Sequence, residues 1–250
     1  MSGFELVIFD CDGVLVDSER ICNQVFCGML NEMGLPVSLE DMFEHFVGLS
    51  MAQCLARITE MHGQPPPDTF VAELQQRTAI ALKDQVTPIP GVIEALAALS
   101  IPYCVASSGD HQKIRLTLGA TGLLKHFDGK IFSVADVANP KPAPDVFLLA
   151  AGTLGVRSSR CIVVEDTPTG VRAGIAAGMY VFGFCATTPE HRLRDAGAHE
   201  VFSEMRQLPE LLMAAQQRVA AEGRQRSSPA GSATAGEAAP SGSAANIPAA

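Results

Sequence analysis

The chain has 250 residues, 47% of them hydrophobic, which is enough to bury the core of one large domain or two modest ones. Its net charge of -9 argues against nucleic acid or an anionic membrane as a partner, because such surfaces select for clustered Lys and Arg. Seven cysteines, an odd number without a C-x-x-C pair, suggest neither a disulfide framework nor a zinc cage, and no run nears the roughly 20 apolar residues of a membrane helix.

In chain order, "LVIFD" (6–10) reads as a buried parallel strand, apolar throughout rather than alternating. Residues 18–86 then break the pattern. They read as helices over 19–33, 39–46, 51–62 and 67–84, separated by Gly34, "FVGLS" (46–50) and "GQPPPD" (63–68), and Ser50 with Gln53 forms a capping-box pattern. "TPIPG" (87–91) marks the return to the first domain. Beyond it, "YCVASS" (103–108), "CIVVED" (161–166) and "MYVFGFCA" (179–186) read as further buried strands, alternating with helical patterns at 91–100, 110–122, 145–155 and 169–178. The expected fold is therefore α/β, a Rossmann-like parallel sheet core with an inserted all-helical cap. The core takes residues 1–17 and 87–220, the cap 18–86, and a disordered tail 221–250, where Ile247 is the one large aliphatic residue after Gly223.

In parallel sheets ligands bind beyond the carboxyl ends of the strands, and here those ends carry the polar residues. The first delivers Asp10 and Asp12, the second Ser107 and Ser108, the third Glu165 and Asp166, and the proline-stiffened "NPKPAPD" loop adds Lys141. Crowded carboxylates are tolerable around a hard cation such as Mg²⁺ with oxygen ligands, for which Asp10, the Asp12 carbonyl and Asp166 are candidates. A phosphate ester in that setting has its charge offset by the metal, Lys141 and the Ser107 hydroxyl, so that Asp10 can attack phosphorus. Asp12 can protonate the departing alkoxide and later take a proton from the hydrolytic water. Thr167 and Thr169 read as helix caps, and Asp17 as a hinge or helix-start residue.

The ordered set "DCDGVLVDSE", "VASSG", "NPKPAPD" and "VVEDTPTGVRAGIAAGM" resembles the four motifs of the haloacid dehalogenase superfamily, in the branch with a helical cap after the first strand, over about residues 4–217. The resemblance implies Asp10 as nucleophile, Asp12 as general acid and base, Ser107 and Lys141 at the phosphate, and Glu165 and Asp166 at Mg²⁺ beside Asp10 and Asp12. Ser108 and the cap-loop Gly48 join the substrate-binding set. The members most alike are bacterial sugar-phosphate phosphatases, so the expected activity is Mg²⁺-dependent hydrolysis of a small phosphorylated sugar, sugar acid or polyol through an aspartyl phosphate. A phosphoglycolate-type phosphatase, a phosphosugar mutase and a phospho-acceptor signalling or binding module are the alternatives. Cys22 and Met51, where the mutases carry His and Arg, count against a mutase, and "FVGLSMAQ" has no cation to meet a strongly anionic substrate. The expected setting is the cytoplasm, with a small-molecule substrate, no nucleic acid or membrane partner, and a monomer or weak homodimer.

Overall fold

The computed structural model of the chain describes residues 3–46 and 49–227. Among them, six parallel strands form one sheet in the order β3-β2-β1-β4-β5-β6. They are β1 (Leu6–Phe9), β2 (Tyr103–Ser107), β3 (Ile131–Ser133), β4 (Cys161–Glu165), β5 (Tyr180–Phe184) and β6 (Glu200–Phe202). Four of these are the apolar runs of the sequence; β3 and β6, three residues each, add the two edges.

The reason the central runs are apolar without alternation lies in the two faces. Val7 and Phe9 of β1 enter one core cluster with Val105, Ile162, Val164 and Phe182, while Leu6 and Ile8 enter the other with Cys104, Val163 and Val181. Helices cover both faces. α5 (Val92–Ala98), α6 (His111–Ala120) and α10 (Leu208–Ser227) bring Leu96, Leu118 and Leu212 to the first cluster. α7 (Asp145–Thr153), α8 (Pro168–Ala176) and α9 (Glu190–Asp195) bring Phe147, Val171 and Leu193 to the second. Helix α10 continues to Ser227, so residues 221–227, expected within a disordered tail, are helical; residues 228–250 lie outside the described ones. Good helix formers from Met213 to Glu222, interrupted only by Val219, carry the helix past the point where the composition turns polar.

Between β1 and β2 stand α1 (Glu19–Glu32), α2 (Leu39–His45), α3 (Met51–His62) and α4 (Phe70–Gln85). They enclose a separate cluster that includes Phe26, Met42, Phe46, Ile58 and Phe70, with Phe26 packed at ring-centroid distances of 5.4 Å from Phe46 and 5.9 Å from Phe70. Ser38 and Ser50 start α2 and α3 with complete capping boxes. The two chain segments leading into and out of these helices run side by side, Asp17 N donating to the Thr87 carbonyl at 2.9 Å and Ile89 N to the Leu15 carbonyl at 2.9 Å.

Candidate active site

β1 lies between β2 and β4, so the order of the chain reverses around it and the crevice at its carboxyl end is open to a ligand. Asp10 follows directly, its N–H still in the ladder on the Val164 carbonyl at 3.0 Å, its carboxylate 9% exposed. The turn beyond it needs Gly13 at φ +77°, and a Cβ there would stand 2.1 Å from Asp166 Oδ2, so the β1 loop can lie against Asp166 only with glycine at this point.

Lys141 reaches into the same crevice and is almost wholly buried. Its Nζ donates to Asp10 Oδ1 at 2.7 Å, Glu165 Oε1 at 2.8 Å and the Ala106 carbonyl at 3.1 Å, and lies over the Phe147 ring. Burial works against its charge, but Asp10 and Glu165 outweigh that and hold the ammonium above its ordinary range. The carboxyl of Asp10 goes the other way. Burial, only partly offset by Lys141 and reinforced by Glu165 and Asp12, pushes it up to about 7.

Glu165 and Asp166 diverge, as neighbours at the end of an extended strand must. Glu165 gives one oxygen to Lys141 and the other to the Thr167 N–H and hydroxyl, both at 2.9 Å, and Gly170 is close enough that a Cβ would lie 1.6 Å from Oε1. The Thr167 hydroxyl accepts from Gly170 N at 3.0 Å, capping α8 as expected. Asp166 is buried with neither carboxylate oxygen hydrogen-bonded. Burial, then Glu165 and Asp10, raises its carboxyl well above the ordinary range.

Two buried acceptors without a donor are the signature of a place for a positively charged group. Among the described residues no three His, Cys, Asp or Glu side chains are disposed to hold a metal ion. Of the four residues expected at the metal, Glu165 is held by Lys141 and Thr167 and the Asp12 carboxylate by two other residues, while Asp10 gives one oxygen to Lys141 and Asp166 gives neither of its own. Two carboxylates, a backbone carbonyl and waters are an ordinary donor set for Mg²⁺, so the residues present fit that ion.

Asp12 stands further out. Its Oδ2 accepts from Lys113 Nζ at 2.7 Å, and its Oδ1 from the Ser18 hydroxyl. Neither partner was expected. Lys113 sits in the first turn of α6, where a cation opposes the helix dipole, and that unfavourable placement is the signal the sequence carried. Ser18 occupies the N-cap position of α1 yet caps nothing, its hydroxyl being turned to Asp12. Ser107 is buried and accepts from Gly109 N at 3.1 Å, whereas Ser108 is exposed on the rim. Ser133, at the end of β3, steadies this loop by donating to the Gly109 carbonyl at 2.7 Å. Asp17 pairs with Arg20 at 3.4 Å, away from Asp12.

Above Asp12 opens a cavity of about 320 Å³ bounded by α1, the start of α3 and Lys113; Glu19, Asn23, Phe46 and Leu49 are on its walls. Gly48, expected to touch substrate, lies outside the described residues.

The family model for the haloacid dehalogenase-like hydrolases matches residues 7–184. The chain belongs to this family. It is 34% identical to 6-phosphogluconate phosphatase of Escherichia coli, over 84% of this chain and 96% of that protein. A haloacid dehalogenase-like protein from Agrobacterium tumefaciens superposes with a TM-score of 0.78 at 38% identity, covering 85% of this chain and 99% of the other. A family hydrolase from Deinococcus radiodurans, solved with bound phosphate and sodium, gives 0.76 at 33% identity, covering 86% and 97%. With the family and its phosphatase relatives in view, the chain is a phosphoric monoester hydrolase on the Rossmann-like α/β fold that the sequence predicts.

Proposed function

We propose that the chain is a Mg²⁺-dependent phosphatase acting on a small phosphorylated sugar, sugar acid or polyol through an aspartyl phosphate. The observation that carries this reading is the convergence of Asp10, Lys141 and the unpaired Asp166 at the carboxyl end of β1, with Asp12 beside them on the cavity. Asp10, Asp166 and the Asp12 carbonyl would hold the ion, which when bound draws charge from the phosphoryl oxygens and keeps both carboxyls ionised. Lys141 neutralises the incoming phosphate. The Ser107 oxygen already accepts from Gly109 N, which leaves its proton free for a phosphoryl oxygen.

An oxygen of Asp10 forms the new bond to phosphorus as the ester P–O bond breaks, and Asp12 delivers a proton to the departing alkoxide. Water then attacks the aspartyl phosphate, gives its proton to Asp12, and frees Asp10 and inorganic phosphate. In the arrangement described, Asp12 accepts from Lys113 and Ser18 and so stands as the base of the second half-reaction. Its turn as acid requires the Ser18 hydroxyl, which can accept as well as donate, to turn its proton away from Asp12.

Helices α1–α4 are read as a cap over residues 18–86 that closes on the 1–17 and 87–220 core, bending near 16–19 and 85–90. Seven free cysteines among the described residues suit a reducing cytoplasm, and no described helix is long and apolar enough to cross a membrane. The test is phosphate release from a phosphometabolite panel with and without Mg²⁺. Asp10→Asn should abolish turnover of every substrate while the protein stays folded; turnover equal to that of the unaltered chain would sink the assignment.

A further inference from the structure

The cavity above Asp12 carries charges that restrict what can occupy it. One cation lies on its described walls, Lys113, and that ammonium is bound to Asp12 at 2.7 Å. Glu19, half-buried at the start of α1, forms no ion pair among the described residues. Asn23, one turn further along the same face of α1, adds an amide. The opposing side is apolar, with Phe46, Leu49 and Met51. Val47 and Gly48, between Phe46 and Leu49 in the sequence, carry no charge either.

A leaving group seated here meets a carboxylate and an amide on one side and a hydrocarbon surface on the other. Hydroxyls can donate to Glu19 and exchange hydrogen bonds with Asn23, while C–H faces lie on Phe46, Leu49 and Met51. A second anionic group on the substrate meets no free cation among the described wall residues and sits in partial burial beside Glu19, a like charge. We infer that the cavity selects a neutral, hydroxyl-bearing leaving group, a sugar or polyol, and that Glu19 discriminates against the phosphates of sugar acids. This rests on the phosphatase reading above and narrows it.

The experiment compares kcat/KM for glucitol 6-phosphate and 6-phosphogluconate, which share one carbon chain and differ by a terminal carbinol against a carboxylate. The unaltered protein should prefer the polyol ester by about tenfold or more. Glu19→Gln removes the like charge and should narrow that ratio by about tenfold; Met51→Lys, placing a cation on the facing wall, should narrow it independently, so one failed fold does not end the test. Acetyl phosphate, whose leaving group is too small to reach Glu19, reports the phosphoryl chemistry alone. Mg²⁺-dependent turnover of acetyl phosphate together with a preference for 6-phosphogluconate, or with a ratio that neither variant moves, overturns the selectivity assignment and leaves the phosphatase reading standing. No turnover of acetyl phosphate or of any ester overturns both.

Discussion

Glu165 is the residue on which the geometry of the site turns, since it is held from three directions and touches no solvent. Lys141, the Thr167 N–H and the Thr167 hydroxyl fix its carboxylate, and Gly170 provides the room. Gly170→Ala would place a methyl group 1.6 Å from Oε1, so Glu165 must leave Lys141 or α8 must shift. The expected outcome is a loss of about 1–3 kcal/mol in urea unfolding together with a fall in kcat of at least about tenfold. Lys141→Met is the harsher change, because it strands Asp10 and Glu165 in the interior without their cation. A loss of about 3–5 kcal/mol is expected at neutral pH. The loss should shrink in acid, where Asp10, whose carboxyl is already pushed up to about 7, takes a proton and no longer needs the partner; denaturant midpoints at two pH values measure it. At this scale the residues that touch one another along the strand ends were legible from their order in the chain. Lys113 and Ser18 were not, because their importance depends on a contact to Asp12 that spans 101 residues in one case and contradicts a helix-capping habit in the other.

Elements divide in the same way between local and non-local causes. The α3 start was readable because its capping box is complete within four residues, Ser50 accepting from Gln53 N and Gln53 accepting from Ser50 N. That start borders the cavity, so Ser50→Ala should both destabilise by about 1 kcal/mol and raise KM for a sugar phosphate without a matching change for acetyl phosphate; thermal unfolding and steady-state kinetics check the two parts. The buried runs at β1, β2, β4 and β5 were readable as well, since strands covered on both faces advertise themselves by composition. β3 and β6 were not. "IFS" and "EVF" are too short for a periodicity, and they are strands because β2 and β5 present unpaired edges to them. Helix α10, which was not read in the sequence, runs past residue 220, where the core was expected to end, for the complementary reason, since helix propensity persists after the apolar pattern has faded.

For the whole molecule, the concentration of acid at one crevice sets how stability answers to pH. Asp10 is raised from 3.8 to about 7 and Asp166 is also raised, so the folded state holds protons that the unfolded chain releases. The stability this preserves in acid is lost as the pH climbs from about 4 towards 7. A cation that requires both carboxyls ionised acts in the opposite sense. Without divalent ions the melting temperature should fall between pH 5 and pH 8, and added Mg²⁺ should raise it more at pH 8 than at pH 5; an equal shift at both, or none, would count against Asp10 and Asp166 as ligands. The large-scale layout has a further consequence, drawn from the hydrogen bonds that join Leu15 to Ile89 and Asp17 to Thr87. The helical insertion leaves and re-enters the sheet through adjacent segments of chain, so its two ends are tied together at one place, while Ile21 and Leu82 of its helices pack on the core cluster beside the sheet. An insertion of another length that brings its two ends to these same hydrogen bonds would leave the order of the six strands undisturbed. Exchange of the recognition surface then has to preserve Ser18, which holds Asp12, and the apolar contacts of Ile21 and Leu82 with the core if the phosphoryl chemistry beneath is to survive.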